Sequence, residues 1–292
     1  MIAVRSMRDV AAGAATCLTG PGRDAIVAFT SARRSSCGGY MGKSNTPDLY
    51  YTLFAAGTLD ALAQRHSLLR LPRYLAQFGD GRALDFVHAA CLARLLGAVG
   101  RRARQRAVLP RLETFRSQDG GYHHATVNAP TGSAYAAYLA LDTYADARVA
   151  PPQPGHIRSA LDILRTPDHA WANEPGSQHG QTNATAAACL ACIHLGQTPE
   201  PGAAQFLLAQ RDPVTGGFHA YPGAPMPDLL STASALYALN AMNVPLQAIA
   251  PQTRAFIETL WTDEGGFCGG FTDSVPDCEY TFYALLALGA LM

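Results

Sequence analysis

The residues best placed to do chemistry stand near the end of the chain, in Asp277-Cys278-Glu279-Tyr280-Thr281. Two carboxyls two positions apart, beside a phenol, can share and hold a proton. In apolar surroundings a carboxyl keeps its proton to higher pH, and a group that titrates near neutrality is an effective donor or acceptor. At the start of a helix Asp277 would also cap it, where the helix N-terminus favours the anion. Asp277, Glu279 and Tyr280 are therefore candidates for proton transfer. His88, one helical turn after Asp85, and His219, directly after Phe218, are the further catalytic candidates. Asp48, Tyr50, Tyr51, Asp85, Tyr122, His123, Phe218, Asp228, Phe267 and Cys278 recur at corresponding places along the chain and are the expected substrate contacts. The aromatic faces among them would attract a cation.

These residues are carried by a repeat. Gly38-Gly39-Tyr40 leads to Pro47-Asp48 and Thr52, Gly216-Gly217-Phe218 to Pro227-Asp228 and Thr232, and Gly265-Gly266-Phe267 to Pro276-Asp277 and Thr281. A fourth copy, Gly120-Gly121-Tyr122, leads to Thr131-Gly132-Ser133. The gaps are one or two multiples of about 40–50 residues, a spacing used by repeat arrays. Degenerate copies around Phe78-Gly79-Asp80-Gly81 and Trp171 to Thr185 bring the number of units to six.

Each unit reads as an outer helix before the glycines and an inner helix after them. The expected outer helices cover 24–33, 68–77, 107–115, 156–164, 203–210 and 251–260. The inner ones cover 49–63, 84–99, 134–144, 183–195, 229–242 and 278–291. Outer segments carry one apolar stripe, as surface helices do, whereas inner segments such as 186–193 are apolar nearly all round, as buried helices are. Six buried helices within six amphipathic ones make an all-α, α/α toroid barrel. Residues 21–292 are expected to form it as one domain, preceded by an extra helix over 4–18, within residues 1–20.

Bulk properties agree. Hydrophobic residues make up 48% and charged residues 15% of the 292, with a formal net charge of +0, which suits two layers of helix and argues against electrostatic nucleic-acid binding. The basic run 101–106 is expected to be a solvated connector. Seven cysteines form no disulfide framework, and Cys189 and Cys192 read as core packing; free thiols suggest a reducing, cytoplasmic setting. No transmembrane segment or signal peptide is expected.

The Gly-Gly-aromatic, Pro-Asp-x-x-x-Thr and apolar-helix repeats resemble those of protein prenyltransferase β subunits and of squalene/terpenoid cyclases. The resemblance implies a barrel whose cavity takes isoprenoid chains among aromatic side chains, with chemistry at the Gly-Gly-loop end. Zinc-dependent prenyltransferases carry Asp-x-Cys-Tyr and Asp-x-Tyr-His-Thr. Here the matching stretches are Asp228-Leu229-Leu230-Ser231 and Asp277-Cys278-Glu279-Tyr280-Thr281, with Leu230 in place of the cysteine and Tyr280 in place of the histidine. Residues 217–226, where the family neutralises a diphosphate, hold neither Arg nor Lys, and Lys43 is the nearest substitute. Class II terpenoid cyclases use Asp-x-Asp-Asp-Thr, whose middle acid protonates an alkene or epoxide. The 277–281 stretch resembles it, with Glu279 at the middle position and Tyr280 at the last acid, so the resemblance implies Glu279, assisted by Asp277 and Tyr280, as the proton-transfer group.

The resemblance thus points first to a metal-independent isoprenoid cyclase, isomerase or lyase. The alternatives are a prenyltransferase-like β subunit needing zinc and an α partner, and a non-catalytic barrel that binds lipid or protein. No metal or cofactor is expected. His88, His123, His124, His179 and His219, with Cys268 and Cys278, are the alternative set for a metal site outside the family pattern. The expected partner is an apolar isoprenoid-like small molecule.

Overall fold

The computed structural model describes residues 4–292. Its helices are α1 (Met7–Ala11), α2 (Gly20–Ala32), α3 (Leu49–Ala61), α4 (Leu71–Ala76), α5 (Phe86–Ala98), α6 (Arg102–Glu113), α7 (Ala134–Ala147), α8 (Pro154–Ile163), α9 (Thr182–His194), α10 (Pro201–Ala209), α11 (Leu229–Ala241), α12 (Ala250–Glu258) and α13 (Cys278–Ala290). From α2 onward the even-numbered helices are the outer ones and the odd-numbered the inner ones. The chain folds as an all-α toroid of helix pairs.

Composition decides which helix is which. α9 buries every residue from Ala184 to Ile193, including Cys189 and Cys192. α8 buries only Ile157, Ala160 and Leu161, one stripe at three- and four-residue spacing. Four expectations needed correction. The extra helix is short, α1 followed by a 3-10 turn over Ala12–Thr16. The second outer helix is split into a 3-10 stretch, Arg65–Arg70, and α4, with Pro72 near the start of α4 where its missing N–H is harmless. The basic run 101–106 opens α6 instead of linking helices. Arg102 donates to the Asp146 carbonyl at 2.8 Å, and Arg104 to the carbonyls of Leu75 and Gly79, so tertiary partners order this first turn. The inner helices are also less uniformly apolar than expected: Arg94 of α5 pairs with Asp142 and Asp146 of α7 at 2.9 Å each, a charge-compensated cluster inside the helix layer.

The chain divides into two compact units. One comprises residues 75–209 (with Val4), in which α5 packs on α6 and α7, and α9 packs on α7 and α10. The other comprises 5–74 and 210–292, in which α13 packs on α11, α3, α1 and α12. Within this second unit the last inner helix therefore lies against the first.

The repeated phrase builds the corner between outer and inner helix. Tyr40–Met41 (β1) pairs antiparallel with Pro47–Asp48 (β2), placing Tyr40 opposite Asp48. Phe218 and Phe267 likewise bridge to Asp228 and Asp277. The backbone N–H of each aromatic donates to a buried threonine one turn into the inner helix: Tyr40 to Thr52 at 2.9 Å, Trp171 to Thr185 at 3.0 Å, Phe218 to Thr232 at 2.9 Å and Phe267 to Thr281 at 3.2 Å. Three of these hydroxyls donate onward to the capping aspartate's carbonyl, as Thr232 does to Asp228 at 2.7 Å. The threonine thus supplies the acceptor that a buried N–H must have. The first glycine of the pair meets a separate demand. Gly265 has φ +87°, and a Cβ there would lie 2.7 Å from the Ala25 carbonyl oxygen in α2.

Candidate active site

Three inner helices of the second unit begin with a capping aspartate. Asp48 accepts the N–H groups of Tyr50 (2.7 Å) and Tyr51 (3.3 Å), Asp228 that of Ser231 (2.7 Å), and Asp277 that of Tyr280 (2.9 Å). Each cap satisfies amides that the helix itself leaves unpaired. The caps also fix where the following side chains emerge. Leu229 N–H donates to the Gly269 carbonyl at 2.8 Å, tying the start of α11 to the loop before α13.

Glu279 stands in the first turn of α13 and is half-buried. Its Oε1 accepts the Tyr50 hydroxyl at 2.5 Å, a contact across 229 residues of sequence. Burial pushes the Glu279 carboxyl up to about 7 from the ordinary 4.5; the Tyr50 hydrogen bond and Lys43 oppose that shift, and Asp277 reinforces it. Asp277 is 1% exposed, and burial raises its carboxyl too, against the Tyr280 N–H and Lys43. Lys43 comes from the loop between β1 and β2. Its Nζ lies 2.9 and 2.7 Å from the two Asp273 oxygens, 4.0 Å from Asp277 Oδ2 and 5.5 Å from the centre of the Tyr280 ring. Tyr51 and Tyr280 are pushed up to about 12, first by burial and then by the neighbouring carboxylates, so both phenols stay protonated.

Beside the acids runs an aromatic cluster. Tyr50 meets Tyr51 at 5.6 Å and Phe54 at 4.8 Å, both edge-on, and Phe54 meets Phe282 at 5.6 Å and Tyr283 at 5.3 Å. Glycines admit two of the rings closely: Cβ atoms at Gly42 and Gly269 would run into the rings of Tyr51 and Tyr280. The arrangement offers a carboxyl that titrates near neutrality, a phenol that can stabilise its anion, and aromatic faces nearby.

Of the expected residues, Asp48, Tyr50, Tyr51, Asp277, Cys278, Glu279 and Tyr280 gather in this unit, and Asp228 interacts with Tyr280 from the start of α11. Cys278 is fully buried, and burial pushes its thiol up to about 12. Phe218 and Phe267 are buried in the corner, Phe267 edge-on to Trp261 at 5.0 Å. His219 lies 3.3 Å from Asp212 through Nε2.

His88, Asp85, Tyr122 and His123 belong to the other unit. There His88 Nδ1 contacts Asp85 at 2.8 Å near the surface, and His123 Nδ1 accepts the N–H groups of Ala125 and Thr126, holding a turn. Tyr122 is buried and donates to Glu113 Oε1 of α6 at 2.6 Å, so its hydroxyl serves the packing of that helix. Asp273, Ser231, Phe54 and Phe282 escaped the sequence reading; only the recurrence of polar and aromatic residues around the inner-helix starts pointed their way.

The residues at the family's zinc position do not fit a zinc ion. Both Asp228 oxygens are engaged by Ser231, Oδ1 by the N–H at 2.7 Å and Oδ2 by the hydroxyl at 2.8 Å. Leu230 has no donor atom, and Tyr280 stays a protonated phenol. Among the described residues no group of three or more His, Cys, Asp or Glu side chains is arranged to hold a metal ion. No described helix is long and apolar enough to cross a membrane.

The sequence profile of the prenyltransferase alpha-alpha toroid domain matches residues 21–254 and 247–292. No curated protein sequence matches the chain. Among solved structures, the type II terpene cyclase MstE from Scytonema, as a variant in complex with geranylgeranyl dihydroxybenzoate, superposes with a TM-score of 0.63 at 14% identity, covering 96% of this chain and 97% of that one. Protein geranylgeranyltransferase-I from Candida albicans, complexed with GGPP, gives 0.54 at 14% identity over 84% of this chain and 66% of that one. An alpha-amylase from Clostridium perfringens gives 0.64 at 10% identity over 93% and 98%. At such identities the likeness is one of fold, and the amylase shows how widely the fold is shared.

Proposed function

The chain belongs to the prenyltransferase alpha-alpha toroid family, and from that premise we propose that it is a metal-independent isoprenoid cyclase, isomerase or lyase in which Glu279 moves the proton. The observation that carries this reading is the half-buried Glu279 carboxyl, pushed up to about 7 and held by Tyr50 at 2.5 Å. At neutral pH both of its protonation states are populated, which suits general acid–base work.

In the forward step the Glu279 O–H bond breaks and the proton adds to one carbon of an alkene. The alkene's π pair forms the new C–H bond, and the neighbouring carbon becomes cationic. The Tyr50 hydroxyl then donates to the carboxylate left behind, and charge-assisted hydrogen bonds are the stronger kind. The faces of Tyr50, Phe54 and Tyr283 supply attraction for the cation. Ring closure, where it occurs, passes the charge to a new carbon. A C–H bond next to the cation then breaks, its electron pair forming a C=C bond and its proton returning to the Glu279 carboxylate, which completes the cyclisation or, without ring closure, the isomerisation. Asp277 caps α13 and keeps Glu279 in place.

Leu230, the Ser231-bound Asp228 and the protonated Tyr280 speak against a zinc-dependent transferase. The six repeats of 21–292 are proposed to act as one domain, with the substrate an apolar isoprenoid. Mass spectrometry of lipid that co-purifies with the protein would identify the substrate class. On that substrate Glu279→Gln should lower the chemical rate at least about a hundredfold. Asp277→Asn, which keeps a capping side chain, should lower it less. Full turnover by Glu279→Gln would remove Glu279 from the mechanism.

A further inference from the structure

Two carboxyls in the first turn of α13 compete for a proton, and the reaction needs that proton on Glu279. Asp277 is the more buried of the two. Its Oδ1 takes the Tyr280 N–H, while its Oδ2 is buried with no hydrogen bond among the described residues. A buried carboxylate oxygen without compensation is costly, so an isolated Asp277 would tend to take up the proton itself. The cation facing that oxygen is Lys43, 4.0 Å away. Lys43 is fixed in this place from outside, by paired contacts of 2.9 and 2.7 Å to Asp273, a residue of the loop before α13. Asp273 is in turn held by the N–H groups of Gly269 (3.3 Å) and Val275 (3.4 Å).

Resting on the reading of Glu279 as the proton-transfer group, we propose that Lys43 is a positioning residue. Clamped on Asp273, it holds its charge over the buried Asp277 carboxylate and so leaves Glu279 as the carboxyl of the pair that carries the mobile proton.

The remaining groups around the pair are consistent with this role. From α3 and its cap come Asp48, Tyr50 and Tyr51; from α13 and its loop come Cys268, Cys278 and Tyr280. Asp228, the cap of α11, acts on Tyr280, and Arg33, just after α2, donates to the Pro276 carbonyl at 3.1 Å and acts on Cys278. Tyr51, Tyr280, Cys268 and Cys278 are neutral at pH 7, the Tyr50 hydroxyl is engaged on Glu279, and Asp48 and Asp228 cap their own helices. Lys43 thus balances a locally acidic helix end. Its engagement with Asp273 also commits it to the protein, and not to a diphosphate.

The test is a carbon-13 carboxyl NMR titration of the free protein, in wild type, Lys43→Met and Lys43→Arg. The Asp277 and Glu279 signals are assigned by their absence in Asp277→Asn and Glu279→Gln. Lys43→Met keeps the length and packing of the side chain but removes its charge, and should raise the Asp277 midpoint by about one pH unit, more than it raises the Glu279 midpoint, which Lys43 also lowers. Lys43→Arg, which keeps the charge, should stay within a few tenths of wild type. An Asp277 midpoint unmoved in Lys43→Met, or an equal rise in Lys43→Arg, would overturn the proposal by reducing Lys43 to a tie between loops. Because the titration needs no substrate, it separates the two readings. An Asp277 rise alongside full turnover by Glu279→Gln would sustain the placement of Lys43 and refute the role of Glu279.

Discussion

Replacing Glu279 by Gln should change the stability of the protein in a pH-dependent way. The carboxyl rises from an ordinary 4.5 to about 7 on folding, so between those values the folded chain binds more protons than the unfolded one. The stabilisation this brings is complete below about pH 4.5 and is lost as pH rises through about 7. The shift is about 2.5 units, and at about 1.36 kcal/mol per unit it amounts to roughly 3 kcal/mol, nearer 2 once partial contact with water is allowed for. Gln has the same shape and never ionises, so it avoids the cost of a buried charge at alkaline pH. Urea unfolding of both proteins at pH 5, 6, 7 and 8 isolates this one group, because the other titrations nearly cancel in the difference. The stability of Glu279→Gln relative to wild type should climb by roughly 2–3 kcal/mol from pH 5 to pH 8. A difference flat to within about 0.5 kcal/mol would show that the carboxyl has no raised pKa and would refute the electrostatic basis of the site.

Tyr50→Phe deletes the 2.5 Å hydrogen bond that favours the Glu279 anion, and should raise the Glu279 midpoint by about one further unit, read by carboxyl NMR or as a shift of the pH–rate profile to higher pH. Thr232→Val leaves the buried Phe218 N–H without its acceptor and should cost about 2 kcal/mol in urea unfolding while leaving the Glu279 midpoint in place. If residues 21–292 act as one domain, calorimetry should give a single transition whose calorimetric and van't Hoff enthalpies agree; two resolved transitions would count against it.

The helices could be read from the sequence because their causes are local. The inner-helix starts at Leu49, Leu229 and Cys278 agree to the residue, since a Pro-Asp pair is an unambiguous entry and cap. Outer-helix starts drifted, most of all at Arg102, where partners at Asp146, Leu75 and Gly79 order a turn whose own charges favour solvent. The elevated acidity threshold of Glu279 followed from an apolar helix start, but its partner did not. Tyr50 and Glu279 lie 229 residues apart, and Lys43 and Asp273 lie 230 apart, and no periodicity reports such meetings. The repeated threonine was visible as a pattern, yet its task became clear only when the aromatic N–H was found donating to it. Arg94 and Asp142 broke the expected apolar helix layer because each supplies the other's charge compensation.

Proton transfer from Glu279 is most directly tested in deuterated water. With squalene and geranylgeraniol as the first probes, followed by any lipid that co-purifies, wild-type product should carry one deuterium at the carbon that becomes protonated. Glu279→Gln should form that product at least about a hundredfold more slowly. Product without deuterium, or deuterated product formed by Glu279→Gln at the wild-type rate, would contradict the account.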